Sequence, residues 1–156
     1  MTLSLTLAPS CSWIYTHTHR YTHTCSRSSH TPTHRTGACA ALKILFLSAA
    51  NRAAKNGESL APILAALREH RGVAEVQIEG NGALWNLSLD DAGRQLVGTE
   101  SGIPLILAGM KLHTTSAEVQ EQAMGVVILL KSQFATECIH ICINICVCTM
   151  TVELDF

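Results

Sequence analysis

The sequence predicts an all-α chain whose central part is a short helical solenoid of about two and a half repeats, and three observations predict this fold class. Segment 73–87 aligns with 116–130 at an offset of 43, and 51–62 aligns with 93–104 at an offset of 42. Arg52 aligns with Arg94, the pair Glu58–Ser59 with Glu100–Ser101, and Pro62 with Pro104. Apolar residues recur three and four positions apart, which is typical of one face of a helix. A period of this length with two breakers per unit indicates a solenoid.

The composition allows one globular domain and excludes several other classes. The chain has 156 residues, of which 47% are hydrophobic and 15% are charged, and its net charge is −1. These values exclude a coiled coil, collagen, a disulfide miniprotein and a uniformly disordered chain. No run reaches the roughly 18 apolar residues that indicate a membrane span. A net charge near zero gives no electrostatic reason for nucleic-acid binding. We therefore expect neither a nucleic-acid nor a membrane partner.

The charged residues are unevenly distributed along the chain. Residues 1–57 contain six basic side chains and no acidic one, whereas residues 58–156 contain five basic and twelve acidic ones. This asymmetry and the changes in composition predict three parts. These are a leader over 1–36, helical repeats over 37–131 and a tail over 132–156, and we expect the repeats to form the fold.

The leader, 1–36, is a low-complexity Thr/His/Ser/Arg segment that we expect to be disordered, because it has almost nothing to bury. Its acid-free composition leaves organelle targeting open. Its histidines could capture a metal ion, but a structural site needs ligands that a fold holds in place, so we assign no metal ligands and no cofactor. The histidines concerned are His17, His19, His23, His30 and His34.

The tail, 132–156, contains CIHICINICVC, in which isoleucine or valine alternates with cysteine, histidine or asparagine. A period of two predicts a strand-like segment, and disorder is the alternative. Neighbours on one face of a strand lie roughly 6.6 Å apart, too far for two sulfurs on one zinc ion. Both ends also look like translated simple-repeat DNA. These features leave two alternatives to a function of the helical repeats. The chain could be a metal-binding protein that uses both ends, or a truncated gene product without independent function.

Each complete unit is predicted to contain three helices. The first is short, over about 91–100 and earlier over 50–56, and Asp90 and Asp91 can cap it in the later unit. It ends where Gly102, or Gly57 in the earlier unit, allows a turn. The second helix begins at Pro104 or Pro62, where the missing N–H costs nothing, and it carries an aliphatic run.

The third helix of each unit follows a polar joint that contains His70 or His113. Thr115 and Glu118 are predicted to form a capping box at the beginning of the later one. Its apolar residues recur at helical spacing and are predicted to form a buried stripe. The stripe consists of Val76, Gly80, Ala83 and Leu87 in one unit and Val119, Ala123, Val126 and Leu130 in the next.

The segment GALWNLSLDDAGRQLVGTESGIPLILAGMKLHTTSAEVQEQAMGV resembles an armadillo repeat, with its short first helix, a GIP start to the second and an EVQEQA start to the third. It is most similar to long arrays with GALxNL third helices, such as the armadillo region of leucine-rich-repeat kinases; HEAT repeats are the near neighbour. The resemblance covers about residues 37–131 and implies a right-handed armadillo/HEAT-type solenoid.

The resemblance also implies a function. Armadillo third helices line a concave groove that holds extended peptides, so the chain is expected to be a non-enzymatic protein–protein interaction module, or a fragment of one. Glu79, Gly82 and Asn86 would face this groove, and Asn86 matches the asparagine with which family members bind a peptide backbone. The candidate groove residues are therefore Glu79, Trp85, Asn86 and Gln122.

Two of these candidates also have strong structural interpretations. Trp85 lies one helical step off the groove face and is also expected to pack against the adjacent helix. Asn86 could bridge helices or face solvent. Position 86 corresponds to Leu129 in the next unit and Ile44 in the previous one, so no repeated ladder of groove residues is present.

No catalytic signature is found: GxSxG, P-loop, HExxH and dinucleotide-binding patterns are all missing from the sequence. The odd number of cysteines, 7, favours a reducing compartment, and we expect a cytoplasmic protein. Solenoids usually need three or more units, so exposed ends are expected to allow self-association. The sequence does not identify the protein or peptide partner.

Overall fold

The computed structural model describes residues 31–99 and 102–131, and at residues 54–57 it describes the backbone alone. This part of the chain contains helices and no strand, so the all-α prediction is confirmed for it. The helices are α1 (Pro32–Leu45), α2 (Ala49–Glu69), α3 (Ala74–Leu87), α4 (Asp91–Thr99), α5 (Gly102–Leu112) and α6 (Ala117–Leu130).

Helix α3 occupies the centre of the described structure. It packs most extensively against α1 and α6, which the sequence predicts to be the third helices of the preceding and following units. Helix α2 packs against α3, α4 and α5. One main hydrophobic core joins these helices, with Phe46 and Leu84 among its fully buried side chains. No helix among the described residues is long and apolar enough to span a membrane.

The predicted buried stripes of α3 and α6 are confirmed. Every one of the eight positions is buried. Gly80 shows why one of them is a glycine: a Cβ there would lie 2.6 Å from Leu67 Cδ2 of α2. The small residue therefore permits the close approach of α2 and α3.

Helix α2 corrects the prediction for the earlier unit. A short helix over 50–56 that ends at Gly57, followed by a helix that begins at Pro62, is wrong, because α2 continues through both positions. A proline inside a helix costs about 3 kcal/mol. Leu60, Ile63 and Leu67 lie on both sides of Pro62 and are almost completely buried, and burial of such side chains contributes about 1.5–3 kcal/mol each. Packing therefore outweighs the local signal.

In the later unit α4 ends at Thr99 and α5 begins at Gly102, and residues 100–101 between them lie outside the described residues. Gly102 already lies in α5, before Pro104, so the predicted beginning of the second helix at Pro104 is wrong. A Cβ on Gly102 would lie 2.5 Å from the carbonyl oxygen of Val97 in α4. Glycine is thus required because the two helices approach each other closely at this corner.

The helix caps confirm one prediction and correct another. Asp90 caps α4, since its Oδ1 accepts a hydrogen bond from the Gly93 amide at 2.8 Å. The capping box of Thr115 and Glu118 is wrong: Ser116 is the N-cap of α6, and its hydroxyl accepts from the Val119 amide at 3.4 Å. Helix α6 begins one residue later than the box requires.

Two buried or half-buried arginines make the same hydrogen bonds in both units. Arg52 Nη1 donates to the carbonyl oxygens of Phe46 and Leu47 at 2.7 and 3.2 Å. Arg94, which aligns with Arg52 at the 42-residue offset, donates from Nη1 to the carbonyl oxygens of residues 88 and 89 at 3.1 and 3.2 Å. Each arginine therefore ties its own helix to the end of the preceding third helix.

Two glutamines repeat at the other offset, 43. Gln77 Nε2 donates to the carbonyl oxygens of Leu67 and His70 at 3.1 and 3.2 Å. Gln120 Nε2 donates to those of Met110 and His113 at 2.8 and 3.0 Å. These carbonyl groups lie at or after the ends of α2 and α5, where they have no partner in their own helix. The glutamines thus close the same joint in each unit.

Candidate functional site

Three of the four predicted groove residues come together on one surface, namely Glu79, Asn86 and Gln122. Glu79, Gly82 and Asn86 follow one another at helical spacing on α3. The neighbouring helix α1 supplies Lys43 to this surface, and α6 supplies Gln122. We call these five residues the Gly82 cluster, since Gly82 lies at its centre.

Gly82 is the contact point between the side chains of two neighbouring helices. A Cβ at this position would lie 2.8 Å from Lys43 Cδ and 2.9 Å from Gln122 Oε1. These side chains therefore extend over the bare backbone of α3 and bury Gly82. The cluster thus combines side chains from α1, α3 and α6.

Lys43 and Glu79 form an ion pair, with 3.3 Å between Nζ and Oε2. The lysine side chain is 33% exposed and the glutamate side chain 25% exposed. A partly exposed pair of this kind contributes at most about 1 kcal/mol of stability. Its main structural effect is to hold the aliphatic part of Lys43 across Gly82.

Asn86 bridges α3 and α1. Its Nδ2 donates to the backbone carbonyl oxygen of Lys43 at 2.8 Å, so the helix-bridging alternative describes one half of this amide. An amide side chain has two N–H donors and a carbonyl acceptor. Within the described residues, no hydrogen bond to the Asn86 carbonyl oxygen is present, and the side chain is half-buried.

Trp85 lies apart from the Gly82 cluster, in the contact between α3 and α6. Its indole ring occupies the space that a Cβ on Gly125 would need. The ring is half-buried and packs against the hydrophobic core. This position agrees with the expectation that Trp85 packs against the adjacent helix, and it separates Trp85 from the other three candidates.

Lys43 is the residue of this surface that sequence reasoning missed. It contacts Glu79 through its ammonium group, Gly82 through its side chain and Asn86 through its backbone carbonyl. A signal was present, because Lys43 precedes Asn86 by 43 residues, one repeat length. The alignment of Asn86 with Ile44 at an offset of 42 concealed it.

The two joint histidines are structural in different ways. His113 Nε2 lies 2.7 Å from the carbonyl oxygen of Arg71, and this contact links the joints of successive units. His70 contributes its backbone carbonyl to the bonds of Gln77. Their position between helices agrees with the interpretation of both as joint residues.

The predicted leader and tail bear on metal binding, but most of both lies outside the described residues. Of the leader histidines only His34 is described, and it is exposed on α1, which begins inside the predicted leader at Pro32. Residues 31–99 and 102–131 contain no group of three or more His, Cys, Asp or Glu side chains that could hold a metal ion.

Comparisons of the chain with protein-family models, with curated proteins and with solved structures give no match. The described residues define an all-helical protein with a polar, half-exposed cluster shared by three packed helices.

Proposed function

We propose that the chain is a non-enzymatic protein–protein interaction module of the armadillo type, or a fragment of one, which binds extended protein segments on the surface formed by α1, α3 and α6. The observation that supports this most is the Gly82 cluster. It places an ion pair and two amide side chains, all partly exposed, across helices that occupy equivalent places in successive units.

The repeated hydrogen bonds support the finer assignment of the fold. The arginine bonds recur at 42 residues and the glutamine bonds at 43, so the same joints are closed in the same manner. Repeats that are closed by the same bonds can stack in series, as in a solenoid. We therefore propose a right-handed armadillo arrangement, which these bonds and the sequence resemblance support.

The chemistry of the Gly82 cluster suits a peptide backbone. An extended segment carries one N–H and one C=O group per residue, and both need partners when they leave water. The Asn86 carbonyl oxygen can accept from such an N–H group, and the Gln122 amide can both donate and accept. Since Lys43 neutralises Glu79, we propose recognition through backbone hydrogen bonds and not through net charge.

Selection from a phage-displayed library of random peptides tests this proposal. The full chain serves as bait, and enriched peptides are synthesised and titrated against the Asn86→Ala, Glu79→Gln and Gln122→Ala variants. Gln95→Ala is the matched control, because Gln95 is exposed on α4, away from the cluster. We expect about tenfold weaker binding, which is about 1.4 kcal/mol, for Asn86→Ala and Gln122→Ala, and unchanged binding for the control.

Two results would overturn the proposal. The first is the absence of enriched peptides after selection against the correctly folded chain. The second is enriched peptides that bind the Asn86→Ala and Gln122→Ala variants as tightly as the parent chain. Circular dichroism of each variant shows whether a loss of binding reflects the site or a loss of fold.

A further inference from the structure

A contact between a long side chain and a glycine recurs where the third helices pack together. Lys43 of α1 lies over Gly82 of α3, and Trp85 of α3 lies over Gly125 of α6. The covering residues are 42 positions apart and the covered glycines are 43 apart, so both pairs follow the repeat. Each third helix therefore has one face that carries a covering side chain. Another face carries a recess, which is a small residue that the covering side chain of a neighbouring helix can contact.

The outer face of α6 continues this series, and among residues 31–99 and 102–131 no further helix packs on it. Ile128 follows Trp85 by 43 residues and thus occupies the place of the covering side chain. It is 61% exposed, a high value for an isoleucine in a folded helix. We call the surface of α6 around Ile128 the tail face.

The outer face of α1 has the corresponding recess. Gly37, Ala40 and Ile44 precede the three α3 members of the Gly82 cluster by 42 residues each. The α3 residues face α1, so their α1 counterparts point away from α3. Gly37 is exposed with open space around it, Ala40 is half-buried and Ile44 is 67% exposed. We call these three residues the head face.

We propose that a second copy of the chain docks head to tail, so that Ile128 on the tail face of one copy covers Ala40 on the head face of the next. The chain's own packing supports this occupant, because both internal contacts place a long side chain on a small residue. The contact residues that we assign to the two faces are uncharged, and the exposed parts of Ile44 and Ile128 would cover each other.

Head-to-tail docking uses two different faces, so every added copy leaves one of each face unoccupied. Such a heterologous contact forms open chains unless its rotation closes a ring. The proposed assembly involves the ends of the helix stack and is independent of peptide binding at the Gly82 cluster.

Sedimentation velocity of the full chain over a wide concentration range tests the proposal. Ile44→Lys blocks the head face, and Ile128→Lys blocks the tail face; both positions are exposed on helices that lysine suits. The parent chain should increase in mass with concentration, and each variant alone should remain monomeric. An equimolar mixture of the two variants should form a one-to-one dimer and nothing larger, because each supplies the face that the other lacks.

Leu112→Lys is the matched control. Leu112 is 57% exposed at the end of α5 and belongs to neither face, so this variant should assemble like the parent chain. A parent chain that is monomeric throughout would overturn the proposal, and so would a mixture without dimers. Dimers of Ile44→Lys alone would indicate a symmetric contact between tail faces and would also overturn it. Loss of assembly in Leu112→Lys would overturn the proposal as well, because it would indicate non-specific apolar association.

Discussion

Arg52 in α2 donates from Nε to Asp90 Oδ2 at 3.1 Å and thereby joins the beginning of α2 to the beginning of α4 in the next unit. The other carboxylate oxygen of Asp90 accepts the Gly93 amide. One side chain thus caps a helix and links two units. The arginine side chain is 10% exposed and the aspartate side chain 34% exposed, so water screens this pair only partly.

The two roles of Asp90 can be separated by substitution. Asp90→Asn keeps a good N-cap but removes the charge, so we expect a loss of about 0.5–1 kcal/mol in the free energy of unfolding. Asp90→Ala also removes the cap and should cost about 0.5–2 kcal/mol more. Urea denaturation followed by far-UV circular dichroism measures both. Asp91→Asn is the control for the loss of one exposed acidic charge at this helix beginning, because the Asp91 side chain is 80% exposed and its ion pair with Arg94 should contribute little. Equal losses for Asn and Ala at position 90 would contradict the cap.

Gln77 and Gln120 make equivalent hydrogen bonds but differ in burial, so their removal should have unequal costs. Gln77 is 1% exposed, and Gln77→Ala removes a buried donor from the Leu67 carbonyl, whereas the His70 carbonyl keeps the Val73 amide, for an expected loss of about 1–3 kcal/mol. Gln120 is half-buried, where water can replace the amide, so Gln120→Ala should cost less than about 1 kcal/mol. Chemical denaturation of both variants, with exposed Gln95→Ala as the reference, checks the order. The reverse order would contradict it.

Two glycine-to-alanine substitutions should have opposite effects. A methyl group at Gly125 collides with the Trp85 ring, so Gly125→Ala should lower stability by about 1–3 kcal/mol. Gly37 lies in α1, where an added methyl group would have no neighbour within 4 Å, and Gly37→Ala should raise stability by about 0.5–1 kcal/mol. Thermal unfolding measures both. In a Trp13→Phe background, tryptophan fluorescence should change for Gly125→Ala and remain unchanged for Gly37→Ala.

The elements that depend on local pattern were predictable. The buried stripes of α3 and α6 follow from the spacing of apolar residues, and Asp90 caps the helix that it immediately precedes. Long-range partners were not predictable in the same way. The match between Arg52 and Arg94 was visible in the repeat alignment, but both bind backbone carbonyls, and every residue has a carbonyl group.

The Gly82 cluster shows the same limit. Glu79 and Asn86 could be assigned to one face of α3 from their spacing alone. The ion pair with Lys43 depends on how α1 packs against α3. A one-residue change in the alignment of the repeats changes which α1 residue is predicted to lie beside α3. The continuity of α2 was missed for a related reason, since the burial of Ile63 and its neighbours outweighs the local preference of Pro62 for a helix beginning.

Pro62→Ala tests the continuity of α2 by the sign of its effect. Inside a continuous helix, alanine is favoured over proline by about 3 kcal/mol, because the missing N–H and the ring clash are removed. The loss of two buried ring carbons offsets about 1.6 kcal/mol of this gain. We therefore expect a net rise of about 1 kcal/mol in the free energy of unfolding, measured by urea denaturation.

If a helix began at residue 62 instead, proline would suit its first position, and the substitution would lower stability through the lost packing alone. Ala65→Gly, at a half-buried position one turn later, should lower stability by about 1 kcal/mol in either case and shows that the measurement detects changes of this size.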